Sequence, residues 1–215
     1  MNEILFFIQI LLIVGFSLGA LKLGKSALTA WVAIQALVAN LFVLKQITLL
    51  GFDVTASDAL IIGSILGLNF LQEYFGKEEA KKATWICFTF MVFFTLASQV
   101  HLLFEPSVFD STQPAFVTIL SPSPRLLIAS MSVFFLVQQF DIRFFSFLKN
   151  KLPTTSFALR SGISLVVSQF LDTIFFTFFG LYGIVASITD IIILSFAIKL
   201  VVVFCSMTLI KWAKS

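Results

Sequence analysis

Residues 19–26 read GALKLGKS, a match to G-x-x-x-x-G-K-[ST], and the reading of these eight residues decides the fold. As a phosphate-binding loop they would sit between a buried strand and a helix, in a βαβ unit of a soluble nucleotide-binding domain. As a turn they would join two apolar segments. The run before them, ILFFIQILLIVGFSLGA at 4–20, is far longer than a strand of about 5–6 residues. Another long apolar run follows, and no separate soluble strand carries an acidic residue to hold Mg²⁺. We therefore read GALKLGKS as a turn, with Gly24 inside it and Lys22 and Lys25 marking membrane orientation.

Composition supports that reading. Of 215 residues, 59% are hydrophobic and 12% charged, with 28 phenylalanines, against roughly 45–50% and 25% in ordinary globular domains. Too little polar surface remains to cover a soluble particle, and the length suits one polytopic domain over residues 1–215. The net charge of +3 and the lack of a basic tract argue against a nucleic-acid partner.

A helical span needs about 20 mostly apolar residues, and seven windows qualify: 4–21, 28–50, 57–75, 83–103, 125–147, 160–183 and 187–210. The expected fold is all-α, a membrane bundle of seven helices. Polar joints fall at 22–26, 51–58, 76–83, 104–125, 149–156 and around 187–190. The 104–125 segment holds four of the five prolines and is a candidate outer lid or an ordered surface loop. Lys and Arg gather in short cytoplasmic loops. Lys22, Lys25, Lys77, Lys81, Lys82, Arg143, Lys149, Lys151, Arg160, Lys211 and Lys214 fall on one side, and only Lys45 and Arg125 on the other, 11 against 2. That places the N-terminus outside and the C-terminus in the cytoplasm. A six-span version requires the first segment to lie on the surface or be removed, and its leading MNE has no basic residue, unlike a signal peptide. Phe-rich outer faces allow a homodimer, though lipid alone satisfies them.

Signals for catalysis are sparse. His101 is the sole histidine, no metal-ligand spacing exists, and Cys87 and Cys205 lie in different apolar spans. No cofactor is expected. The informative residues are polar ones inside spans, where a charge costs roughly 2.5–3.5 kcal/mol on insertion scales and normally faces a cavity or a partner. Span six contains SQFLDT at 168–173, whose Gln169, Asp172 and Thr173 share one helical face with Phe176 just beyond, with Ser168 beside it. Lys199, in the middle of span seven, lies at a depth where it could pair with Asp172. Span three ends in NFLQEYFG, placing Asn69, Gln72 and Glu73 at the same spacing; Glu73 could equally be a solvated end residue. Span two adds Asn40, and span five adds Gln138, Gln139 and Asp141. So many amides and carboxylates suggest a planar, multiply hydrogen-bonding ligand. NFLQE and QFLDT also form a short echo across oppositely directed spans, as in the inverted repeats of transporters.

NFLQEYFGKEEAKKA resembles the Asn-x-x-x-Glu-x-x-Gly signature, with its basic loop, of the VUT family of queuosine-precursor transporters. SQFLDTIFF at 168–176 is similar to that family's Ser-Gln/Asn-x-x-Asp-Thr span. Lys199, Arg125 and QQFDI at 138–142 also fit, so the resemblance runs from about Asn40 to Lys199. The acidic residues of GKEEAKK depart from the more basic loop usual in the family. The resemblance implies a multi-pass importer in the bacterial inner membrane for 7-deazaguanine bases (queuine, preQ0 or preQ1) used in tRNA modification. Asp172 or Glu73 would accept from N1–H and the 2-amino group, and Gln169, Asn69 or Lys199 would donate to the 6-oxo group. Phe176, Phe70 or Tyr74 would stack on the ring, while Ser168, Thr173, Asn40, Arg125 and Gln139 complete the expected site. Three alternatives stay open: the substrate-binding subunit of an energy-coupled vitamin transporter, which needs an ATPase partner; a membrane enzyme acting on lipid or prenyl substrates; and a purely structural membrane subunit, which would leave the midplane polar strip unexplained.

Overall fold

In the computed structural model, α1 (Asn2–Leu23) ends at Gly24, whose φ of 101° suits glycine, and α2 (Lys25–Phe42) begins at the next residue. GALKLGKS is thus the end of one helix, a one-residue turn and the start of another. No strand feeds it, so the βαβ setting of a phosphate-binding loop does not exist there. The structure describes residues 1–42, 45–49, 51–55, 57–121, 124–182 and 188–213.

After α2 the chain forms a two-stranded antiparallel hairpin, β1 (Gln46–Leu49) and β2 (Phe52–Thr55), turning through Gly51 at φ 85°. This corrects the expected second span, 28–50, which as a helix stops at Phe42. Ile47, Thr48, Val54 and Thr55 are β-branched and favour a pleated strand, but on a hydropathy scale such a stretch merges with the preceding helix. The hairpin meets the start of α1, where Asn2 Nδ2 donates to the Thr48 carbonyl at 2.9 Å.

The remaining elements are α3 (Asp58–Tyr74), α4 (Lys77–Leu102), α5 (Gln113–Leu120), α6 (Pro124–Lys151), α7 (Phe157–Phe176), which widens into a π-helical turn at Thr177–Leu181, and α8 (Ile188–Ala213). α4 starts earlier than expected, absorbing the GKEEAKKA joint. Glu78 and Glu79 occupy its first turn, where carboxylates complement the helix dipole, and they pair with Lys81 and Lys82 one turn on. Within the 104–125 segment, Asp110 Oδ1 accepts from the Thr112 amide at 2.7 Å and hydroxyl at 2.6 Å just before α5. α5 buries none of its residues and rests on the end of α4, where Gln99 Nε2 donates to the Leu120 carbonyl. The expected joint at 187–190 lies partly outside the described residues, and α8 begins at Ile188.

Five helical stretches are long and apolar enough to cross a membrane: Asn2–Leu23, Lys25–Phe42, Lys77–Leu102, Ile128–Lys151 and Phe157–Gly180. With their exposed Leu5, Leu12, Phe16, Phe93 and Leu96, they form a helical membrane bundle. In water such faces would be sticky patches; in lipid they are solvent contacts. α3, at 17 residues, is the central helix: it touches α1, α2, α4, α6, α7 and α8, and Ile62, Leu66, Leu68, Phe70 and Leu71 are fully buried. Its close approach to α2 depends on Gly63 and Gly67, a small-xxx-small pair of the kind that lets membrane helices meet backbone to backbone. A Cβ on Gly67 would come within 2.6 Å of Val32 Cγ2, and one on Gly63 would collide with Gln35 and Ile13.

Three turns meet at one end of the bundle, rich in lysine. Lys25, after the α1–α2 turn, lies 3.5 Å from Glu79 at the start of α4. Lys149, near the end of α6, donates to the Glu73 carbonyl and pairs with its carboxylate at 3.3 Å. Clustering of these turns agrees with the one-sided distribution of basic residues.

Candidate functional site: a polar column along α7

The α7 sequence places Arg160, Ser161, Ser164, Ser168, Gln169, Asp172 and Thr173 on one face at three- and four-residue steps, and Ser156 caps the helix by accepting from the Leu159 amide at 3.3 Å. From Arg160 to Asp172 this face rises about 18 Å, at 1.5 Å per residue. Each level meets a different helix.

At the basic end, Arg160 Nη2 donates to Glu73 Oε1 at 2.6 Å while its Nη1 donates to the carbonyls of Leu152, Pro153 and Thr155. Lys149 supplies a second cation to Glu73. Glu73 is therefore neither a bare end residue nor an unengaged acceptor. One level deeper, Asn69 Nδ2 donates to Ser161 Oγ at 3.0 Å, and Gln72 Nε2 donates to the Ile142 carbonyl at 2.8 Å. Near the other end, Lys199 Nζ of α8 donates to Asp172 Oδ2 at 2.7 Å and to Thr173 Oγ1 at 3.2 Å. The pairing of Asp172 with Lys199 expected from depth is present.

Between these levels lies Asp141 of α6, fully buried. Its Oδ1 accepts from Ser164 Oγ at 2.6 Å and from Ser168 Oγ at 2.7 Å, and its Oδ2 has no partner. Among the described residues no lysine or arginine pairs with it. Beside Ser168, Gln169 is fully buried with both amide atoms unpartnered. Asn69 Oδ1, Gln72 Oε1, Gln138 Oε1, Gln139 Nε2 and the Gln35 amide are in the same condition. A buried polar group with no partner costs about 1–3 kcal/mol, and native proteins hold few of them. Such atoms need a partner from outside the chain, either a ligand or a buried water.

Of the residues singled out in the sequence, the column brings together Asp172, Thr173 and Lys199 at one level, Gln169 and Ser168 at the next, and Asn69 and Glu73 at the basic end. Gln139 is half-buried beside Gln138. Phe176 is half-buried and packs against the core. Phe70 stacks on Phe157 at 4.8 Å and lies 6.3 Å from Tyr74, so its ring faces are used in packing. Asn40 is elsewhere: its Oδ1 accepts from Ser130 Oγ at 3.4 Å, and it lines a cleft with Phe94, Thr95, Ser98 and Gln99 near α5. Arg125 is in the first turn of α6, with its side chain outside those described. Sequence reasoning missed Arg160, counted as a loop charge, together with Ser161 and Ser164, and left Asp141 outside the site. The signal was present in RSGISLVVSQFLDT, where residues 160, 164, 168 and 172 recur every fourth position.

Comparison with known proteins agrees with this architecture. The family described as "Putative vitamin uptake transporter" matches residues 55–213. A "Probable queuosine precursor transporter" of Bacillus subtilis (strain 168) is 34% identical over 163 residues, covering 74% of this chain and 71% of that one. No solved structure matches the chain. The matched region contains the whole of α3 to α8 and so every level of the column, and the chain belongs to this vitamin-uptake transporter family.

Proposed function

We propose that the chain imports a 7-deazaguanine precursor of queuosine across the bacterial inner membrane, holding the base between α3, α6 and α7. The observation that carries this reading is the set of fully buried amide and carboxylate atoms with no partner in the protein, Gln169 and Asp141 foremost. A deazaguanine is flat and carries adjacent donors and an acceptor, which such atoms complement, and the Bacillus relative is named for cargo of this class. The reading takes α3 and α8 as spans with the other five, giving seven helices, an outside N-terminus and a cytoplasmic basic end, in keeping with the bias of lysine and arginine. Gln169, Ser168, Asn69 and Gln139 contribute to the binding chamber. The pairs Asp172–Lys199 and Glu73–Arg160 close it on either side.

The test is uptake of labelled queuine, preQ0 and preQ1 by proteoliposomes containing this chain alone. Accumulation of at least one, competed by unlabelled 7-deazaguanine and not by adenine, is expected. Uptake that appears only with an added ATPase would make the chain a subunit of an energy-coupled transporter, and no uptake in either setting would refute the reading.

A further inference from the structure

Three carboxylates enter the column, and they are not equivalent. Glu73 is matched by Arg160 and Lys149, and Asp172 by Lys199. Any ligand donor approaching either would compete with a cation already in place. Asp141 has no such competitor. Its two hydrogen bonds come from serines four residues apart on α7, and both converge on Oδ1. An ionised carboxylate oxygen accepts about two hydrogen bonds, so the serines fill Oδ1, fix the side chain and leave both lone pairs of Oδ2 for something else. On α7, Gln169 follows Ser168 in sequence and has a free amide donor and a free acceptor, and Gln138, whose Oε1 is also unpartnered, precedes Asp141 by one turn of α6.

We infer that Asp141, held by Ser164 and Ser168, reads the two adjacent N–H donors of the ligand's pyrimidine edge, while Gln169 donates to its neighbouring 6-oxo group. The inference deepens the function proposed above and rests on it. An edge that runs amino, ring N–H, oxo is donor, donor, acceptor. Oδ2 of Asp141 followed by the Gln169 amide supplies acceptor, acceptor, donor. Hydrogen bonds to a charged group in a dry interior are the strong ones, so the 2-amino group becomes the main specificity element. A 2-oxo analogue sets an oxygen against Oδ2 and is rejected.

The experiment measures binding of labelled 7-deazaguanine to the purified full chain in detergent, with unlabelled 7-deazaguanine and 7-deazaxanthine as competitors. The wild type is expected to favour the 2-amino compound by about 100-fold, roughly tenfold for the one charge-assisted bond lost and about as much again for the 2-oxo oxygen set against Oδ2. In Asp141→Asn the serine protons still select Oδ1, so an NH₂ group replaces Oδ2 and faces the ligand's donors. The preference then collapses or reverses. Gln169→Leu guards against a variant that fails only by unfolding. It removes an amide with no partner in the free protein, so thermal stability holds or rises while affinity for 7-deazaguanine falls about tenfold. An unchanged 2-amino preference in Asp141→Asn, or full affinity in Gln169→Leu, overturns the inference while leaving the function standing. Absence of wild-type binding to any deazaguanine overturns both.

Discussion

The two ends of the polar column and its middle use the same residue types to opposite effect. At the ends, carboxylate and cation arrive from different helices and cancel: Glu73 of α3 with Arg160 of α7, and Asp172 of α7 with Lys199 of α8. In the middle, Asp141 is met by two hydroxyls and no cation. Burying an ion without a counter-charge is tolerated only where hydrogen bonds or a ligand offset the lost hydration. On the reading proposed above, the difference separates charges that tie helices together from one left available to a ligand. It also separates what a substitution should cost: stability at the ends, binding in the middle.

The sharpest way to break the comparison is Asp141→Asn, for which we expect about a 100-fold loss of deazaguanine affinity with the protein still folded; a loss of folding with no binding phenotype at partial stability would place Asp141 among the structural charges. Lys199→Met should act the other way. It strands Asp172 in the interior and should cost about 3–5 kcal/mol of stability, most of it recovered when Asp172→Asn is added. Denaturation of the two variants in one detergent measures this, and a double variant no better than the single would show that the two residues act independently. A smaller effect is expected at Gly67→Ala, whose methyl must push Val32 away from α3; overpacking of this kind costs about 1–3 kcal/mol, visible as a lower midpoint with little change in ligand preference. Lys25→Ala sits at the bottom of the scale. In its pair with Glu79 the lysine is exposed and the distance is 3.5 Å, and surface pairs contribute little, so stability should be indistinguishable from wild type, while a clear drop would mean that the basic-end turns are held by more than packing.

Much of this arrangement was legible in the sequence, for physical reasons that also explain the gaps. Spanning helices follow from continuous apolar length, and the match to a phosphate-binding loop was dismissed correctly because its neighbours were too long to be strands. The hairpin at 46–55 was hidden because lipid and a sheet favour the same β-branched residues, so a hydropathy window runs straight through. Asp172 and Lys199 were found because isolated charges at midspan must meet something. Arg160 was not, since a charge close to a helix start reads equally well as a loop cation; only the fold shows its guanidinium folded inward onto Glu73. Asp141 was seen but undervalued. It stands near the end of its apolar window, and its depth came to light once α6 ran on to Lys151 and carried residue 141 into the bundle.

The most direct test compares labelled 7-deazaguanine binding in two variants, the charge-conserving Asp172→Asn/Lys199→Met and the single Asp141→Asn, each purified as the folded full chain. The double variant, which loses both members of an ion pair together, is expected to bind the base still, whereas the single substitution weakens binding about 100-fold. Loss of binding in the double variant with retention in Asp141→Asn would contradict this expectation and move the recognition carboxylate to Asp172.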